Sequence, residues 1–227
     1  MSNRPNPSRR PTAPPSATTP DRRRVLLLAG IAVAVVVVIG VLLALGGADD
    51  DKSSSGSDAP DFGPVAVEGT SLADLPDGGA DPAVGTAAPV LEVTDPQGSG
   101  TTVGAAGDEP TLIAFVAHWC PHCQAEVPVL VDLMEAGDLD GVRTVAVLTG
   151  TKDSAPNYPP VAWLERERWS GDIVLDDERS TAARAYGLTA YPYLVWLDAD
   201  GTVVARTSGE VPREALLQQI DAVRSTG

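Results

Sequence analysis

Six consecutive residues, His118-Trp119-Cys120-Pro121-His122-Cys123, hold both cysteines and both histidines of a 227-residue chain. Their position constrains the fold. The apolar run Thr111 to Ala117 comes directly before them and reads as a buried strand. The run Gln124 to Ala136 follows, with apolar spacing that fits a helix. A C-x-x-C at a strand-to-helix junction reads as a redox site on an α/β scaffold.

Disulfide exchange needs a thiolate, and a free cysteine titrates near ~8.5. Cys120 is expected at the N-terminal end of its helix, where unpaired N–H groups and the positive end of the dipole stabilise a thiolate. Cys123 lies one turn further in, close enough to attack a mixed disulfide at Cys120. Cys120 is therefore the expected nucleophile and Cys123 the resolving thiol. Their disulfide is the expected redox group, with no separate cofactor and no metal. Pro121 pre-sets the first turn, and His122 is expected to add positive charge beside the Cys120 sulfur. His118 is expected either to act the same way or to cap the approach to the site.

A second feature is Tyr191-Pro192-Tyr193. It follows a helix expected to stop at Gly187 and opens a strand, a place where a proline invites a cis peptide bond. Trp119, Tyr191 and Pro192 are the candidate substrate-binding residues.

Charge and hydropathy divide the rest of the chain. Residues 1–24 carry six Arg and one Asp, while the remainder carries ten Lys and Arg against thirty Asp and Glu. A nucleic-acid role is excluded for so acidic a body, because phosphate binding needs a basic face. Residues 1–24 are rich in Pro, Ser, Thr and Arg and read as a disordered cytoplasmic tail. Residues 25–45 have no polar side chain. As a helix they would span roughly 30 Å, the thickness of a bilayer core. Arg22-Arg23-Arg24 precede them, so the positive-inside rule puts everything after residue 46 outside the cytoplasm. The apolar run is longer than a signal-peptide core, which favours an anchor over a cleaved leader. Residues 46–83 read as an extracytoplasmic linker and N-terminal extension. Within them, Val65 to Val67 and Leu72 to Leu75 are candidates for a short strand and a turn lying on the domain.

Residues 84–227 are the expected folded domain. A hairpin is expected from Val90 to Thr94 and Thr101 to Val103, with strands at Leu112–Ala117, Val142–Leu148, Ile173–Leu175, Tyr193–Leu197 and Val203–Thr207. Helices are expected from Cys120, kinked at Pro128, from Pro159 to Trp169, from Glu178 to Tyr186, and from Pro212 to Val223. Strands alternating with helices and closing on a hairpin give an α/β sandwich with a mixed sheet.

From Gly85 onward the chain resembles the membrane-anchored thioredoxin-like proteins of the TlpA/ResA group, within the redoxin/AhpC-TSA-like superfamily. The matching pieces are G-T-A-A-P (Gly85 to Pro89), F-V-A-H-W-C-P-H-C-Q-A-E-V-P (Phe115 to Pro128), A-Y-G-L-T-A-Y-P (Ala185 to Pro192) and L-D-A-D-G-T-V-V (Leu197 to Val204). The resemblance implies a thioredoxin fold, a cis Pro192 and thiol–disulfide oxidoreductase activity on exported proteins. It also implies a tuning role for Glu126, which stands three residues after the second cysteine. A carboxylate near a buried thiol can relay its proton. Thioredoxins proper carry a buried aspartate where this chain has Ala114, so that relay is missing. The Pro-His dipeptide between the cysteines resembles DsbA-type oxidases and favours disulfide donation. The surrounding pattern favours reduction, which would require a membrane redox partner.

Three other readings compete. His118, Cys120, His122 and Cys123 could together hold copper or zinc. A peroxidase would want Thr or Ser three residues before its reactive cysteine, where this chain has Ala117. A purely structural C-x-x-C bond closes too small a loop to stabilise much.

Overall fold

A computed structural model describes residues 59–226. The segments 1–24 and 25–45, and most of the linker that follows them, lie outside the described residues. Among the described residues no helix is long and apolar enough to cross a membrane.

Eight strands form one mixed sheet. They are β1 (Ala66–Glu68), β2 (Val90–Thr94), β3 (Gly100–Val103), β4 (Thr111–Val116), β5 (Arg143–Leu148), β6 (Asp172–Leu175), β7 (Tyr193–Leu197) and β8 (Val203–Ser208). The order is β1-β2-β6-β5-β4-β7-β8, with β3 paired to β2. Strands β4, β5 and β6 are parallel, β7 runs antiparallel to β4, and β8 runs antiparallel to β7. Among the described residues four helices pack on the sheet: α1 (Pro121–Glu135), α2 (Pro160–Arg166), α3 (Thr181–Ala185) and α4 (Arg213–Arg224).

The central strand shows why the hexapeptide sits where it does. All of β4 is buried, because both faces of the sheet are covered. Its side chains alternate between two cores. Leu112, Ala114 and Val116 join Val127, Leu130 and Val131 of α1 and Leu216, Ile220 and Val223 of α4. Ile113 and Phe115 join Val145, Val147, Tyr186 and Tyr193 on the other face. Each of the large apolar side chains stabilises the fold by about 1.5–3 kcal/mol on burial. That packing fixes the end of β4, and a three-residue turn then leads to Cys120.

Two helices are shorter than their sequence pattern predicts. Helix α2 stops at Arg166 rather than Trp169, because Arg168 turns left-handed (φ 65) and the Trp169 N–H folds back to the Leu164 carbonyl. Helix α3 starts at Thr181 rather than Glu178. The Asp177 carboxylate accepts from the N–H groups of Arg179 and Thr181, and this local turn outcompetes a helical one. At its far end Gly187 (φ 69) is required twice over: a Cβ there would also lie 2.3 Å from the Ala73 carbonyl. Helix α1 runs unbroken through Pro128.

The compact body begins before residue 84. Strand β1 pairs with β2, Leu72 is buried, and its N–H bonds to the Ala185 carbonyl. Asp81 meets the guanidinium of Arg206, which also donates to the carbonyls of Ala73 (2.8 Å) and Tyr186 (3.0 Å). Residues 59–83 are thus strapped across the sheet instead of forming a loose extension, and a buried cation holds the strap.

Candidate functional site

The site forms where the C-terminal end of β4 meets the N-terminus of α1. Cys120 is the N-cap residue in an extended conformation, and Pro121 fills the first helical position, where a missing N–H costs nothing. The first turn of α1 carries no acidic residue, so its orphan N–H groups face the Cys120 region without a competing charge. Cys120 is 6% exposed, and its Sγ lies 3.9 Å from the Tyr191 carbonyl oxygen. Cys123 is fully buried, and its sulfur accepts the Ala117 N–H at 3.4 Å. Burial, then the neighbouring Cys120 and Glu126, pushes the Cys123 thiol far above the usual range, although the Ala117 N–H opposes this.

The peptide bond Tyr191-Pro192 is cis, and it brings the Tyr191 carbonyl to the dithiol. A second cis bond, Tyr158-Pro159, falls in the loop after β5. The Trp119 indole donates to the Gly150 carbonyl (2.8 Å) and stands edge-on to the Tyr191 ring, with centroids 6.0 Å apart. Gly150 (φ 60) is glycine for a reason, because a Cβ would come 2.9 Å from the Tyr191 hydroxyl.

The two histidines behave differently from each other and from expectation. His118 is fully buried. Its Nδ1–H donates to the Pro156 carbonyl (2.7 Å), and its Nε2 accepts the Lys152 N–H (3.2 Å). That pair of partners selects the neutral Nδ1–H tautomer, since a second proton would face the Lys152 donor. Desolvation lowers its pKa in the same sense. His118 therefore neither charges the site nor caps its approach; it clamps the loop from Lys152 to Pro156. His122 is largely exposed, and its Nδ1 pairs with Glu210 Oε1 at 2.6 Å instead of turning to the Cys120 sulfur.

Glu126 is 1% exposed. Its Oε2 accepts the Val211 N–H (3.0 Å), while Oε1 has no partner among the described residues. Burial raises its pKa, partly offset by the Val211 N–H. It lies three residues after Cys123 on one helix face.

The proposed metal cluster does not assemble. Both ring nitrogens of His118 are engaged by backbone, and His122 points to Glu210. Among the described residues no group of three or more His, Cys, Asp or Glu is arranged to hold a metal ion.

Several residues at the site carried no signal in the sequence. Glu210 and Val211 reach α1 from the β8–α4 loop, far along the chain. Lys152 places its ammonium 3.7 Å from the centroid of the Trp119 ring. The buried Asp176, at the end of β6, accepts the N–H groups of Asp177, Ala182 and Ala183 and anchors α3. The scarcity of lysine was the one clue available for Lys152.

A mixed sheet with helices on both faces, a C-x-x-C at the β4–α1 junction and a cis proline opposite define a thioredoxin-fold dithiol protein. A family model described as the AhpC/TSA family matches residues 84–206, more than half the chain, and the chain belongs to that family. Among curated proteins it is 28% identical over 114 residues to the thiol:disulfide interchange protein TxlA homolog of Synechocystis sp., covering 50% of this chain and 49% of that protein. It is 25% identical over 142 residues to the thiol-disulfide oxidoreductase ResA of Geobacillus thermodenitrificans, covering 63% of this chain and 79% of that one. The chain thus spans about half the length of the first relative and most of the second. Among solved structures, a DsbE candidate from Chlorobium tepidum superposes with a TM-score of 0.52 at 23% identity, covering 62% of this chain and 96% of that one. The thioredoxin domain of a thiol-disulfide oxidoreductase from Bacteroides vulgatus gives 0.50 at 19%, over 61% and 96%. At these identities the superpositions establish the fold.

Proposed function

We propose that this chain is a membrane-tethered thiol–disulfide oxidoreductase that exchanges disulfides with exported proteins through Cys120 and Cys123. The observation that carries this reading is the asymmetry of the dithiol: Cys120 at a helix N-terminus beside the Tyr191 carbonyl, Cys123 sealed behind it. In the reducing direction the Cys120 thiolate attacks one sulfur of a substrate disulfide. That S–S bond breaks, and the departing substrate sulfur leaves as a thiolate and takes up a proton. Cys123 then gives up its proton and attacks Cys120 Sγ in the mixed disulfide. The second substrate thiol is released, and a Cys120–Cys123 disulfide remains. Two electrons pass to the substrate. Glu126 Oε1, buried without a partner on the face of Cys123, is the group suited to accept the Cys123 proton.

The reducing direction is favoured by the engagement of His122. A histidine held by Glu210 contributes less positive charge to Cys120 than the Pro-His dipeptide alone suggests. Tethering is carried by the apolar segment 25–45 and by the resemblance to membrane-anchored relatives. A reductant outside the cytoplasm then draws its electrons from a membrane partner. The test is the reduction potential of the full-length chain in detergent, equilibrated with dithiol buffers. A value at or below about −270 mV is expected, and one near about −120 mV would reverse the direction.

A further inference from the structure

Lys152 is one of two lysines in a chain of net charge −15, and its position beside the dithiol is built. The buried His118 fixes the Lys152 main chain by accepting its N–H. The ammonium then lies over the face of Trp119, the residue before the nucleophile. Trp119 is held in turn by the Gly150 carbonyl and by the edge of Tyr191, whose own carbonyl is 3.9 Å from Cys120 Sγ. Among the described residues no carboxylate lies within ion-pair distance of this ammonium. Asp61 accepts instead from the Tyr158 hydroxyl, and Glu210 pairs with His122. Beside the dithiol and the His122–Glu210 pair, the rim thus carries two aromatic rings and a lysine with no ion-pair partner among the described residues, on a body that is otherwise strongly acidic.

We infer that Lys152 and the Trp119 ring form a subsite for an acidic side chain of the protein substrate, one or two residues from its reacting cysteine. This rests on the oxidoreductase reading above and adds a substrate class to it. Two residues of extended chain advance roughly 7 Å, enough to bring such a carboxylate from Cys120 to the Lys152 ammonium across the Trp119 ring. Without this contact the acidic surface would disfavour acidic substrates, so the subsite changes which exported proteins are accepted.

The test uses the full-length chain in detergent, reduced beforehand, and short peptides whose single cysteine is disulfide-bonded to glutathione. The peptides differ only in an Asp, Asn or Lys two residues from that cysteine. The Asp peptide should be reduced about threefold to fivefold faster than the Asn peptide at low salt, as a partly exposed ion pair allows. The advantage should vanish near 1 M salt, where the screening length is ~3 Å. Lys152→Met should erase the Asp-to-Asn ratio, Lys152→Glu should invert it, and Lys152→Arg should restore it. A merely structural lysine would alter all three peptides alike and leave the ratio intact. Equal rates for the three peptides, or a ratio that survives Lys152→Met, would overturn the subsite while leaving the oxidoreductase reading in place. No reduction of any peptide would overturn both.

Discussion

His122 Nδ1 and Glu210 Oε1 lie 2.6 Å apart, and the next residue of the same loop, Val211, donates its N–H to Glu126 Oε2 at 3.0 Å. One turn of the β8–α4 loop thus holds two residues of α1 that flank Cys123, four positions apart on the helix. It restrains the charge of one and stabilises the charge of the other.

Replacing Glu210 by Gln frees His122. The released imidazole can turn toward the Cys120 sulfur and, when protonated, stabilise the reduced form. The reduction potential should move in the oxidising direction, by no more than about 20 mV because the pair is exposed. Equilibration with dithiol buffers reads this directly. An unchanged potential at low salt would mean that His122 does not reach the thiolate.

The cysteines should differ sharply. Cys120→Ser should abolish exchange, because it removes the sulfur at the helix N-terminus. Cys123→Ser should leave attack intact but trap mixed disulfides, visible as substrate adducts on non-reducing gels. Full exchange by Cys120→Ser would falsify the mechanism.

Glu126 links the site to stability. Its folded pKa lies above the ordinary 4.5, so in that window the folded protein binds more protons than the unfolded one. Its contribution to stability is therefore present at low pH and lost as pH rises through the folded value. Glu126→Gln should flatten this decline in a series of melting curves from about pH 4.5 upward. It should also slow resolution of the mixed disulfide by Cys123, with the first attack by Cys120 less affected.

His118 gives the opposite sign. Its folded pKa lies below the ordinary 6.5, so the stability it confers is present above that value and lost as pH falls through the folded one. His118→Phe should remove this acid sensitivity. It should also cost about 1–3 kcal/mol in denaturant titration, because the buried Lys152 N–H and Pro156 carbonyl lose their partner.

Arg206 and Asp81 should prove to be the fastening of residues 59–83. Arg206→Ala removes the cation facing the half-buried Asp81 carboxylate and leaves the Ala73 carbonyl without its donor, and should cost about 1–3 kcal/mol in denaturant titration. Limited proteolysis should then cut within residues 70–83 before it cuts the sheet. An uncut strap with unchanged stability would show that β1 and Leu72 suffice to hold it.

Much of this protein could be read before its fold was known. The period-two and helical patterns located most of the strands and helices to within a few residues, because burial on a sheet or on one helix face imposes that spacing locally. The C-x-x-C located the dithiol for the same reason: both cysteines lie on one helix turn. The misjudged ends, Arg166 and Thr181, depended on single left-handed residues, Arg168 and Ser180, which leave little trace in composition.

The sequence by itself placed one sulfur at a helix N-terminus and the other one turn further in, since both are local facts. It also determined where an acidic body begins and where an apolar segment precedes it. Only the tertiary structure decided what surrounds the sulfurs. His118 became a neutral clamp through backbone groups more than thirty residues away, His122 was taken by Glu210, and Lys152 came to lie over Trp119. Those pairings join positions far apart in the chain, and a pKa or a binding preference is set by what lies within a few ångströms in space.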